Sequence, residues 1–181
     1  MKNHDHAVLA ARKLLGDLNK LRVPVDVAAL IKAQSITLVE LPHENPDLSG
    51  AIIKSGGKSL IVVNFKDSES RKRFTMAHEL GHHFLHHSQD VFVDRTNSLS
   101  VHYRKKQHAY DKHEVEANVF AAELLMPEEL VRKDFSSLFS SFKSSLGRVA
   151  GDQIEFITKA LAEKYHVSME AMRIRIEQVN T

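Results

Sequence analysis

The sequence contains no cysteine and no tryptophan, and only four of its 181 residues are proline. Without cysteine the chain has no disulfide framework and no thiolate metal site, so any metal must be held by histidine, aspartate or glutamate. No apolar run approaches the roughly 20 residues that a membrane-spanning helix needs. Residues 1–6 carry an acid and lack the apolar core of a signal peptide. These absences predict a soluble, cytoplasmic protein.

The chain also lacks a strong charge of either sign. Its formal net charge is +2 at pH 7, which disfavours direct binding to nucleic acid. The apolar share of 43% and the length of 181 residues suit one domain with a hydrophobic core. We therefore expect a single domain over residues 1–181, with its core at about 20–130 and a C-terminal helical pair at 150–181.

Local patterns predict the elements of this domain. β-branched runs predict strands at 36–41, 50–54 and 59–64, with a glycine-containing hairpin turn between the last two. Apolar residues at helical spacing, together with capping residues, predict helices at 6–21, 27–33, 67–87, 113–126, 128–138, 154–165 and 169–179. Residues 88–111 show no clear period, and a loop of this length in a compact domain is usually functional or partly disordered.

Histidine is the residue type in excess, with 12 copies of which nine follow residue 77. They include a His-Glu-x-x-His motif at residues 78–82. Residues four apart lie on one face of a helix, so His78 and His82 can bind one metal ion. Glu79 lies about 100° from His78, where a carboxylate can take a proton from water that the metal activates. The motif therefore predicts a catalytic metal site with Glu79 as its base.

Two other histidine pairs have the same spacing. His82 with His86, and His83 with His87, are also four residues apart. In neither pair is the first histidine followed by a carboxylate, so these pairs could bind a metal but could not supply the base. We expect His83, His86 and His87 to lie near the site or in solvent.

A catalytic zinc site has three protein ligands and an open fourth position. We favour Glu114 as the third ligand, because Asn118 shares its helix face and could orient a ligand. Glu116 is about 200° from Glu114 and cannot share that role. Weaker candidates are His113 and Asp111.

Gly81 stands inside the motif. Glycine within a helix costs about 1 kcal/mol relative to alanine. A close backbone approach near the metal would explain its presence.

The sequence does not identify the group that would stabilise negative charge on the attacked carbonyl oxygen. Candidates in the long loop are His102, Tyr103, Arg104, His108 and Tyr110. The sequence also does not distinguish between zinc, manganese and iron as the bound ion, since sites of histidine and glutamate accept several divalent ions.

Residues 71–82, followed by residues 114–127, are similar to the ImmA/IrrE-type metallopeptidases. The resemblance covers about residues 20–130. Upstream segments that are also similar to that family lie at 24–27, 48–50 and 61–64.

The resemblance implies a small zincin-like α+β fold, with a short antiparallel sheet of about three strands packed on the active-site helix and a helical C-terminal part. It implies zinc bound by His78, His82 and Glu114, with Glu79 as general base. Members of the family are bacterial, archaeal or phage proteins. Those best understood cut a helix-turn-helix repressor, often encoded nearby, in stress responses or in the control of mobile elements. The resemblance thus implies a helix-turn-helix repressor as substrate and partner.

Two other functions stay open at this stage. The chain could bind metal and a helix-turn-helix regulator without cutting it. Alternatively, residues 161–176 could form a DNA-binding helix-turn-helix, with Ser168 capping the second helix and with Arg173 and Arg175 contacting phosphates. We favour a C-terminal helical pair that completes the core over DNA binding, because the chain is nearly neutral.

Overall fold

The computed structural model describes residues 5–42, 49–85, 112–146 and 151–180. Within these ranges two helices precede three strands, and five helices follow. In chain order the elements are α1 Asp5–Leu15, α2 Val27–Ala33, β1 Thr37–Leu41, β2 Gly50–Ser55, β3 Lys58–Asn64, α3 Glu69–Phe84, α4 Lys112–Leu125, α5 Glu128–Leu146, α6 Gly151–Tyr165 and α7 Met169–Asn180. The predicted α+β class, with three strands and a helical C-terminal part, is confirmed.

The sheet has the order β1-β3-β2. The hairpin of β2 and β3 is antiparallel, as predicted, and turns through Gly56 and Gly57, whose φ angles of 55° and 75° favour glycine. However, β1 pairs with β3 in parallel, with Thr37 opposite Leu60. The expectation of a wholly antiparallel sheet is therefore wrong for this pair. The tight hairpin fixes β2 antiparallel to β3, whereas β1 takes the other edge of β3 in the same direction as β3.

One face of the sheet packs on α3. Ile61 and Val63 on β3 are wholly buried on this face. At Gly50 on β2, a Cβ atom would collide with Cγ2 of Thr75, so the absence of a side chain lets α3 lie against the strand. The sheet thereby supports the helix that carries the His-Glu-x-x-His motif.

Two predicted helix ends differ from the structure by six or more residues. The predicted helix at 6–21 ends at Leu15, because Gly16 has a φ angle of 71° and its backbone N–H bonds to the carbonyl of Arg12 at 3.0 Å. A glycine in this conformation is a common way to end a helix. The helix predicted at 128–138 instead continues to Leu146.

The C-terminal helices belong to the hydrophobic core. Their wholly or almost wholly buried side chains include Ile157, Leu161, Tyr165, Met172 and Val179. Ser168 caps α7, as predicted, by accepting a hydrogen bond from the Ala171 N–H at 3.1 Å. These contacts fit the interpretation that residues 154–179 form a helical pair that completes the core.

Arg175 on α7 is buried, so it is not placed to contact DNA phosphates, as the disfavoured DNA-binding alternative would require. Its Nε donates to the carbonyl of Met126 at 2.8 Å, and its Nη2 bonds to Glu123. Glu123 is 1% exposed and also accepts a hydrogen bond from Arg12 Nε at 2.7 Å. This ion cluster joins α1, α4 and α7. The sequence did not reveal the burial, since it depends on contacts between residues far apart in the chain.

Replacing Arg175 with alanine should lower the free energy of unfolding by about 3 kcal/mol, because the change leaves Glu123 buried with one of its two arginines missing. Denaturant unfolding would measure the loss. The matched control is Arg173→Ala, two residues away and exposed, for which we expect a change within about 0.5 kcal/mol. Equal effects of the two substitutions would contradict the structural role of the cluster.

Candidate metal centre

Helix α3 begins where the sequence predicts a cap. Ser68 precedes the helix, and its side chain accepts a hydrogen bond from the Arg71 N–H at 3.4 Å. From there the helix runs unbroken through the motif to Phe84. The helix thus ends three residues before the predicted end at residue 87, with Leu85 as its C-cap. The two spaced histidines therefore share one face of a continuous helix.

Three ligand-type side chains converge between α3 and α4. His78 Nε2 lies 3.0 Å from His82 Nε2 and 3.3 Å from Glu114 Oε2. His82 Nε2 lies 3.3 Å from Glu114 Oε1. Among the described residues, these three side chains form the group of histidines and acids whose ligand atoms all lie within 4.8 Å of one another. The structure thus brings together the three residues that the sequence predicts as ligands.

The dimensions of this group suit a metal ion of the size of zinc. With metal–ligand bonds of about 2.0–2.2 Å in a tetrahedron, neighbouring ligand atoms lie about 3.3–3.6 Å apart. The observed separations of 3.0–3.3 Å are close to this range. Two imidazoles and one carboxylate are also a known donor set of catalytic zinc sites. The residues present therefore fit the metal that the resemblance implies.

Asn118 fixes the protonation pattern of His78. Its Oδ1 lies 2.9 Å from His78 Nδ1. An amide oxygen only accepts hydrogen bonds, so Nδ1 must carry the proton. In a neutral ring the lone pair then stands on Nε2, the atom directed toward His82 and Glu114. Asn118 thus has the orienting position that its spacing predicts, one helical turn after Glu114.

Glu79 is held in the packed part of the helix and is 4% exposed. It follows His78 directly, so its side chain starts about 100° around α3 from that ligand. Its carboxylate is not a member of the group of three ligand-type side chains. This placement suits a base more than a ligand.

Gly81 explains how two helices bring their side chains so close. A Cβ atom at this position would lie 3.3 Å from both Cα and the carbonyl oxygen of Ala117 on α4, and 3.1 Å from Cδ1 of Phe120. These distances are tighter than ordinary van der Waals contact. The close backbone approach expected from the glycine is present, and its partner is α4.

The weaker ligand candidates lie elsewhere or outside the described residues. Glu116 is buried and forms an ion pair with Lys112 at 3.5 Å, and its Oε2 lies 3.5 Å from His6 Nε2. His113 is exposed, and His83 has its ring edge-on to that of Phe84. Asp111, His86 and His87 lie outside the described residues, as do the five candidates for contacting the carbonyl oxygen, His102, Tyr103, Arg104, His108 and Tyr110.

A comparison with protein families shows which family the chain belongs to. Residues 31–177 match a peptidase family described as the IrrE N-terminal-like domain. The chain belongs to this family. The resemblance to ImmA/IrrE-type metallopeptidases is thereby confirmed, and the match extends beyond the predicted limit of about 130 to include α5, α6 and most of α7. A metallopeptidase-like role follows from the family.

A curated relative of this IrrE-like chain comes from a phage. The chain is 39% identical over 72 residues to "Uncharacterized immunity region protein 2" of Bacillus phage phi105. The aligned segment spans 39% of the chain and 40% of the phage protein. Within the part of the chain that the structure describes, no helix is both long enough and apolar enough to cross a membrane.

Substituting Gly81 with alanine should destabilise this IrrE-like protein by about 1–3 kcal/mol, the usual cost of overpacking, because the new methyl group meets the backbone of α4. Helix propensity alone predicts the opposite sign, a gain of about 1 kcal/mol. Urea unfolding of the metal-free protein distinguishes the two. A more stable variant would show that α3 and α4 do not need the glycine.

Proposed function

We propose that this chain is a zinc-dependent endopeptidase that cleaves a helix-turn-helix transcriptional repressor. The observation that carries the proposal is the convergence of His78, His82 and Glu114 beside Glu79, within a chain of a metallopeptidase family. A histidine-histidine-glutamate set is typical of zinc peptidases. The proposed cofactor is therefore Zn²⁺, with these three residues as ligands.

When bound, the zinc ion would supply Lewis acidity, which makes water a better nucleophile at neutral pH and polarises a carbonyl group. The chain's own base is Glu79. It would accept a proton from the attacking water and pass it to the leaving amine of the cleaved peptide bond. Asn118 would keep the His78 ring in the orientation and tautomer needed for binding.

The sheet offers a place for the substrate. Among the described residues, β1 and β2 are the edge strands of the sheet. Gly50 of β2 packs against Thr75, which precedes His78 by about one helical turn. An extended substrate segment would add to the edge of β2 through main-chain hydrogen bonds. The peptide bond to be cut would then run past the metal centre.

Support for a regulatory protein as substrate comes from two sources. The family resembled by the motifs includes enzymes that cut helix-turn-helix repressors in stress responses or mobile elements. The phage relative carries the name of an immunity region protein. A repressor acts where the DNA is, so we propose that the enzyme works in the cytoplasm of a bacterium or in cells infected by a phage.

We also propose that residues 1–181 act as one metallopeptidase domain. The contacts of Arg175 with Glu123 and with the carbonyl of Met126 join the C-terminal helices to α4, which carries Glu114. Direct DNA binding is disfavoured by the same contacts, because Arg175 is buried. The exposed part of α7 mixes Arg173 with Glu170 and Glu177 and has no basic surface.

Changing Glu79 to glutamine should keep zinc binding and reduce cleavage by about 10²–10⁴-fold, the usual contribution of a general base. The assay incubates the purified chain and zinc with the helix-turn-helix regulator encoded nearest to its own gene, and mass spectrometry detects fragments. Glu163→Gln, on an exposed face of α6, is the matched control. Full proteolysis by a zinc-loaded Glu79→Gln variant would disprove the assignment of Glu79 as the general base.

The same assay separates cleavage from binding alone. If the wild-type chain binds the regulator and zinc but leaves the regulator intact, the alternative function is correct, in which the protein regulates its partner without cutting it.

Adding zinc to the metal-free protein should raise the free energy of unfolding, by about 2.7 kcal/mol at a free zinc concentration 100 times the dissociation constant. Glu114→Gln should lose most of this increase, because the site loses an anionic ligand. The control is His113→Gln on the same helix, which should retain the increase. Thermal unfolding with and without zinc measures both, and an undiminished zinc effect in Glu114→Gln would exclude it as a ligand.

A further inference from the structure

Helix α1 packs along α4. Ala7 and Ala11 are both wholly buried in the hydrophobic core. Because alanine is small, a helix with buried alanines at positions i and i+4 can approach its neighbour closely. The contact is therefore a close-packed one.

Polar contacts with acidic side chains lie near both ends of α1. Near its C-terminal end, Arg12 Nε donates to Glu123 Oε1 at 2.7 Å, and other guanidinium nitrogens lie 3.8 Å from Glu128 and 3.4 Å from Glu129. The hydrogen bond to Glu123 raises the pKa of Arg12 above its ordinary value. At the other end His6 Nε2 lies 3.5 Å from Glu116 Oε2. The acids that α1 contacts on α4 are thus Glu116 and Glu123.

These two acids lie on the side of α4 opposite to Glu114. At 100° per residue, Glu116 and Glu123 are about 200° and about 180° around the helix from Glu114. Meanwhile Ala117 of α4 meets Gly81 of α3. Helix α4 therefore contacts α3 through one part of its surface and α1 through another.

We infer that α1 is a positioning clasp, which presses α4 against α3 and so holds Glu114 within reach of His78 and His82 for tight metal binding. The clasp lies outside the matched family segment, which begins at residue 31. The inference rests on the proposed metal centre. It assigns to α1 a role in metal affinity that the motif residues do not account for.

The test measures the zinc dissociation constant of the full chain by competition with a chromophoric chelator. Two variants disturb different contacts of the clasp: Arg12→Gln removes the charged anchor, and Ala11→Leu inserts bulk between α1 and α4. We expect each to raise the dissociation constant about tenfold, the lower end of the effect of residues that support metal ligands. The control is Lys13→Gln, on the same helix but exposed, and it should change the constant less than about twofold.

A purely structural role for α1 would give a different result. In that case the variants would unfold at lower denaturant concentration, but at a temperature where circular dichroism shows them folded they would bind zinc as tightly as the wild type. That outcome would overturn the clasp and leave the proposed function intact. Absence of zinc binding by the wild-type chain would instead overturn the proposed metal centre, and with it the clasp.

Discussion

The close approach of α3 and α4 at Gly81 is the constraint on which the rest of the structure depends. Histidine and glutamate side chains have limited reach, so ligands from two helices can share an ion only if the helix axes are close. The contact of Gly81 with Ala117 provides that closeness one turn after His78. A larger residue would move α4 outward and would move Glu114 with it. The glycine is thus explained by tertiary packing and not by the conformation of α3, which is helical throughout.

A contact between two helices fixes a distance only if something opposes their separation. On α3, Arg73 donates to the carbonyls of Val25 at 3.0 Å and His166 at 3.2 Å, which ties this helix to the segment before α2 and to the turn before α7. On α4, the buried Glu123 carboxylate accepts hydrogen bonds from an arginine on α1 and from another on α7. Such buried ion clusters contribute little net stability compared with apolar packing, but they are costly to break. They are therefore suited to fixing the register of α4 and not only its burial.

The parts of the fold that sequence reasoning predicted are those set by local rules. The hairpin at Gly56 and Gly57, the capping of α3 by Ser68 and the spacing of His78 and His82 each depend on residues within about one turn. The proposal of Glu114 as the third ligand rests on helix geometry together with the resemblance. The parallel pairing of β1, the burial of Arg175 and the docking of α1 depend on segments far apart in the chain, for which a single sequence carries no periodic signal. Residues 86–111 hold the remaining candidates for the site and lie outside the described residues.

Because its ligands come from two helices, the proposed centre connects metal binding to tertiary packing. His78 and His82 are arranged by α3 alone, so a partly folded chain could still offer this pair. Glu114 joins them only when α4 is docked, and its docking depends on Gly81 at one side and α1 at the other. A metal ion that binds all three ligands therefore stabilises the docked arrangement by the same free energy with which docking tightens its binding. It follows that substitutions far from the ion, on α1 or α7, can change its affinity without touching a ligand.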